Sequence, residues 1–196
     1  MSPVRPPYFG AAYYPEGMSE SRIDYDIKLM KETGINAVRL GEFAWSRLEP
    51  EDGRFDFGWL CDVVDKLAKN DIGVILCTPS ATPPAWLTQK HPEIMPMRYN
   101  GRRASHGARL HYCPNSAIYR EYIRRINTAM AKQFADCDYV LGWQIDNEVY
   151  IPFGEGCYCP DCQKGFAEFL QSRFHTIDRL NQAWQLTLWS QEYSDF

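Results

Sequence analysis

Four short apolar runs, each followed by a stretch with helical spacing, constrain this chain more than any other feature. The runs are residues 8–14, 37–40, 73–77 and the start of 139–150. The third, Gly73-Val74-Ile75-Leu76-Cys77, has no charged position, as expected of a strand covered on both faces. Ser19 can cap a first helix whose apolar positions Ile23, Ile27, Leu29 and Met30 recur at helical spacing, with Gly34 at its end. A second helix is predicted over 57–69, with Leu60, Val63, Val64 and Leu67 inward. Asn115 or Ser116 caps a third, running to about Phe134, and a fourth covers about 162–173. Strand–helix alternation of this kind predicts a parallel sheet wound with helices. The later strands end in polar or proline-rich tips: Glu42, then Thr78-Pro79, then Asp146-Asn147-Glu148. Chemistry-bearing tips at the strand C-termini fit a (β/α)8 barrel. The expectation is therefore an α/β chain: the N-terminal half of a TIM (β/α)8 barrel, about four β/α units. Residues 1–196 would then be part of a catalytic domain that continues past Phe196. The other reading is a complete, small, open α/β sheet.

Composition narrows the function. The 196 residues are 45% hydrophobic and 14% aromatic, enough for one sizeable core. The net charge is -4 and no block of basic residues occurs, which argues against nucleic acid or an anionic membrane as partner. No run has the length of a transmembrane helix, and the first ten residues carry no apolar run of a leader. Seven cysteines without an export signal read as reduced thiols or metal ligands in a cytoplasmic protein.

The stretch 139–150 turns from apolar to Asp146-Asn147-Glu148 within a few residues. Glu148 at a strand tip can serve as a proton donor with Asn147 beside it on a substrate. The same acid and amide groups can instead cap the next helix. Cys157, Cys159 and Cys162 lie within six residues, and Cys113 precedes the third helix. Four thiolates can close a tetrahedral structural zinc site. Unligated thiols are the alternative, and His111 is a rival ligand. Cys61, Cys77 and Cys137 fall on apolar positions and read as core, as do Trp45 and Trp86. Glu42 is expected to pair with Arg39 or Arg47.

Several motifs coincide: residues 34–50 (GINAVRLGEFAWSRLEP), 78–87 (TPSATPPAWL), 109–116 (RLHYCPNS), 142–148 (GWQIDNE) and the tail 180–193. Together with the cysteine cluster they resemble the N-terminal half of a glycoside hydrolase family 42 β-galactosidase, from about Tyr8 to the last residue. The resemblance implies a retaining hydrolase that releases terminal β-D-galactose from β-galactosides. It implies Glu148 as general acid/base, Arg109 and Asn147 on sugar hydroxyls, and Trp189 lining the sugar site. It also implies a structural, non-catalytic zinc on Cys113, Cys157, Cys159 and Cys162, and a homo-oligomer, often a trimer. The nucleophile would be a second glutamate in the missing half, so the isolated chain is expected to be inactive. Such a mechanism needs two carboxyl groups about 5 Å apart, one protonated and one ionised. The close anion raises the acid's pKa. Asn147 can both donate to and accept from a sugar hydroxyl, and Arg109 can fork toward two of them. Two other functions fit the same residues: cleavage of a related sugar such as an α-L-arabinopyranoside, or a non-catalytic, zinc-stapled carbohydrate-binding module.

Overall fold

A computed structural model describes residues 3–107, 109, 111–148 and 156–196. Four strands, β1 (Gly10–Ala12), β2 (Ala37–Leu40), β3 (Gly73–Cys77) and β4 (Val140–Gln144), form one sheet in sequence order. All three pairings are parallel. The connections carry α1 (Glu20–Glu32), α2 (Trp45–Leu48), α3 (Gly58–Ala68), α4 (Ala85–Lys90) and α5 (Ala117–Gln133). After β4 come α6 (Pro160–Phe174) and α7 (Ile177–Trp184). The alternation read from the sequence is therefore present as a parallel α/β layer structure.

The strands alternate between two environments, as a period of two requires. Val38, Leu40, Val74 and Leu76 point to one face and are buried against Ile23 and Ile27 of α1, the inner face of α3, and Tyr119, Ile126 and Met130 of α5. Arg39 and Ile75 point the other way and stay half-buried. Ser19 and Ser116 cap α1 and α5, each accepting the backbone N–H three residues on at 3.3 Å. Between the two candidate caps for α5, the side chain of Ser116 makes the bond.

Three differences from the sequence reading have physical causes. The first strand is shorter than 8–14, although Asn36 N–H still bonds the Phe9 carbonyl and Tyr13 N–H the Arg39 carbonyl. The helices α2 and α4, four and six residues long, are too short to show a helical period. The α6 helix begins at Pro160 rather than Cys162, because proline suits the first turn, where its missing N–H has no intrahelical partner. The expected tail holds α7, capped by Thr176. Of the glycine- and cysteine-rich stretch 151–161, which the sequence suggests as an excursion after the fourth strand, residues 151–155 lie outside those described. Among the described residues no helix is long and apolar enough to cross a membrane.

Candidate active site

A bulge aims the end of β4. Val74 pairs with Val140 but Ile75 pairs with Gly142, so Leu141 is an extra residue in β4. Gly73 makes room for it, since a Cβ there would meet Leu141 Cδ1 at 2.5 Å. One inserted residue exchanges the two faces of everything after it. Cys77 therefore pairs with Gln144 and not with Trp143. Gln144 then meets Arg39, whose Nη1 donates to Gln144 Oε1 at 2.6 Å. Arg39 Nη2 donates to Glu42 Oε2 at 2.9 Å, and the Tyr14 hydroxyl donates to the same oxygen at 2.6 Å. Of its two expected partners Glu42 takes Arg39, and it is buried while doing so. Its hydrogen bond pushes the Tyr14 phenol up from its ordinary value, and burial adds to this. Burial likewise pushes the Cys77 thiol, on this face, up to about 12.

The chain then turns sharply. Asp146 and Glu148 adopt left-handed backbone, at φ 58° and 44°. Non-glycine residues there cost of order 1–3 kcal/mol and persist where their surroundings over-determine them. Here the Asp146 N–H donates to Thr78 Oγ1 at 2.7 Å, and Asp146 Oδ1 accepts the Asn147 N–H at 2.7 Å. The Tyr112 hydroxyl donates to Asp146 Oδ2 at 2.9 Å. Burial, then this bond, pushes the Tyr112 phenol well above its usual range. Gln144 Nε2 donates to the Asp146 carbonyl at 2.9 Å and reaches Asn147 Oδ1 at 3.4 Å.

Asn147 is buried in this turn, whereas the Glu148 side chain is 59% exposed. The Arg109 guanidinium bonds Glu148 Oε2 and lies 5.1 Å above the Phe43 ring, which in turn stacks on Tyr14. The structure thus brings Arg109, Asn147 and Glu148 to one mouth. It does not bring Trp189 there. That ring is 85% exposed in the tail, and no contact with the other three is found among the described residues. Trp45 is fully buried, as a core ring, and Trp86 is half-buried with its Nε1–H on the Glu49 carbonyl. The sequence reading missed Tyr112, Gln144 and Thr78. A lone cation inside the apolar run Ala37–Leu40 was a usable signal for Arg39; a bulge leaves none.

Beside this turn the sulfurs of Cys113, Cys157, Cys159 and Cys162 all lie within 4.8 Å of one another. Cys113 Sγ is 3.5 Å from Cys159 Sγ and 3.4 Å from Cys162 Sγ, far beyond a disulfide bond length of about 2.05 Å. A tetrahedral ion with metal–sulfur bonds of about 2.3 Å needs sulfurs about 3.8 Å apart, so this donor set fits a metal ion. Burial pushes the Cys113 thiol well up and Cys162 up to about 11. Burial also opposes charge on Cys159, but the Cys162 N–H and the neighbouring thiols donate to it and draw it down. His111 is not in the cluster; it is buried and packs edge-on against His106. Cys61 and Cys137 are half-buried against the core.

The family model described as β-galactosidase, glycoside hydrolase family 42, matches residues 12–196. This chain belongs to that family. A β-galactosidase of Bacillus licheniformis is 46% identical over 189 residues, which are 96% of this chain and 28% of that protein. One from Thermus thermophilus is 46% identical over 187 residues, 95% of this chain and 29% of that protein. The chain thus spans less than a third of the length of these relatives. A β-galactosidase from Halorubrum lacusprofundi superposes with a TM-score of 0.89 at 40% identity, covering 96% of this chain and 28% of that one. A catalytic mutant of a family 42 β-galactosidase from G. stearothermophilus, with alanine in place of a glutamate, superposes with a TM-score of 0.88. It is 38% identical and covers 96% of this chain and 27% of that one. The four-stranded layer is accordingly the first half of the family's TIM barrel.

Proposed function

We propose that the protein carrying this chain is a retaining β-galactosidase that releases terminal, non-reducing β-D-galactose. The observation that carries this reading is the meeting of Arg109 and Glu148 at the tip of β4, 39 residues apart in sequence, in a chain of this family. Glu148 is the general acid/base: exposed at the mouth, it can reach a glycosidic oxygen. Asn147, held by the turn, and Arg109, held over Phe43, take sugar hydroxyls. Trp189 stacks on the sugar once the rest of the site is in place. The nucleophile is a second glutamate outside this chain, and the glutamate exchanged in the G. stearothermophilus catalytic mutant fits a carboxylate mechanism. Residues 1–196 act as part of a larger catalytic domain. In support, β1 is exposed along its length and β4 only half-buried, as barrel strands awaiting neighbours would be. A cytoplasmic homo-oligomer belongs to the same proposal.

The stereochemistry of the first product tests the mechanism. Proton NMR of an aryl β-galactoside digest should show β-galactose first, with α-galactose growing in only by mutarotation. Initial α-galactose would overturn the retaining assignment.

The metal of the four cysteines is zinc in this reading. Four thiolates leave no open coordination position, so the ion would staple the loop without activating water. Elemental analysis of the purified protein should find about one zinc per chain, and Cys157→Ser should lose most of it. Full zinc content in that variant would remove Cys157 from the ligand set.

A further inference from the structure

We propose that Tyr112 is a positioning residue for the reaction: from the loop that enters the cysteine cluster, it braces the turn that presents Asn147 and Glu148. The inference rests on Glu148 being the acid/base group.

The turn after β4 does not hold itself. Its left-handed residues Asp146 and Glu148 flank Asn147; besides the Gln144 bond to its carbonyl, Asp146 is tied through its N–H and side chain on three sides. Two of those ties are local to strand tips: its N–H on Thr78 and its Oδ1 on the Asn147 N–H. The third, Tyr112 to Oδ2 at 2.9 Å, comes from another part of the chain, 34 residues away. It also comes from a rigid support. Tyr112 is buried, its ring lies 4.5 Å from that of Tyr119, and the fully buried Tyr119 donates its hydroxyl to the Ser80 carbonyl. Ser80 in turn bonds Thr78 at 3.2 Å, which closes the support back onto the turn.

The next residue is Cys113, whose sulfur meets those of Cys159 and Cys162. Adjacent residues therefore grip the chain at two places: Tyr112 at Asp146, just before the acid, and Cys113 at the start of α6. Whatever fixes Cys113 fixes Tyr112, and through one hydrogen bond it fixes where Glu148 leaves the sheet. Proton transfer to a leaving oxygen depends on that placement more than sugar binding does, because an acid misplaced by about 1 Å can lose two orders of magnitude.

Leaving-group dependence in the full-length enzyme separates this from a role in packing alone. An alkyl or sugar aglycone must be protonated as it leaves, whereas a dinitrophenolate departs without help. Tyr112→Phe should lower kcat/KM about 10–100-fold on an alkyl β-galactoside. On a dinitrophenyl β-galactoside the loss should stay within about threefold, with metal content at the parental level. Asp146→Asn, which leaves one side-chain oxygen for the two donors Tyr112 O–H and Asn147 N–H, should show the same split, and the double variant should be no worse than the worse single one. Equal losses on both substrates, or no loss on either, would overturn the bracing role. Glu148→Gln run in parallel separates the two levels of the argument. If it shows the split and Tyr112→Phe does not, only this inference falls. If it shows no split, the acid assignment fails and takes the inference with it.

Discussion

Glu148→Gln should reduce turnover of an unactivated β-galactoside by about 10²–10⁴-fold, the usual contribution of a positioned acid/base. Glutamine keeps the shape of the side chain and can still meet the Arg109 guanidinium, so the mouth of the site is little disturbed. What it cannot do is give a proton to the leaving oxygen or take one from the incoming water. Both half-reactions of a retaining enzyme use the same group, first as acid and then as base. An aryl galactoside with a good leaving group bypasses the first use, so the variant should form the galactosyl-enzyme and then stall. Added azide, which attacks that intermediate without a base, should restore turnover and yield β-galactosyl azide. Parental turnover in Glu148→Gln would sink the assignment. So would azide acceleration giving the α-anomer.

The parts of this molecule that were legible in its sequence are those governed by short periods. The continuous apolar run at 73–77 and the inward stripe Leu60, Val63, Val64 and Leu67 each map onto one element and one face. Three of the four clustered thiols were legible as well, because Cys157, Cys159 and Cys162 are tightly spaced, whereas Cys113 joined them through its place before the third helix and the family pattern. What stayed hidden depends on register. Nothing in Val140-Leu141-Gly142-Trp143-Gln144 shows that Leu141 is an extra residue, yet that insertion decides whether Gln144 or Trp143 faces Arg39. Tyr112 was hidden for a similar reason. A tyrosine between two motif residues reads as filler, and its hydroxyl acquires meaning only when the turn at Asp146 is folded against it. Trp189 shows the opposite limit. The family pattern singles it out, but its ring is 85% exposed and makes no contact with Arg109, Asn147 or Glu148 among the described residues.

Removing the cation beside the buried Glu49 should destabilise the fold strongly. Glu49 is fully buried just after α2, where it accepts the Trp45 Nε1–H at 2.9 Å and the Gly53 N–H at 2.8 Å. Both of those donors are neutral; its charge is met by the Arg125 guanidinium from α5. Arg125 also reaches Asp52 at 2.6 Å and lies 4.4 Å over the Tyr122 ring, so it ties the β2–α3 connection to α5. Arg125→Ala strands the Glu49 charge and should cost about 3–5 kcal/mol, read as a shift of the urea midpoint. Exchanging both partners, Glu49→Gln with Arg125→Met, should cost much less than the sum of the two single changes, since neither then leaves a buried charge. Additive losses in that cycle would show that the pair acts through packing alone. Acid should loosen the same junction. Lys90 holds the Asp52 carboxyl below its ordinary value, with burial opposing and Arg125 adding to the effect. A depressed carboxylate contributes stability above its unfolded pKa of about 3.9 and loses it as pH falls toward the folded value. Asp52→Asn should therefore lower stability at neutral pH and converge on the parent only below about pH 4. A constant difference between the two proteins down through that range would place the effect of Asp52 elsewhere than in its charge.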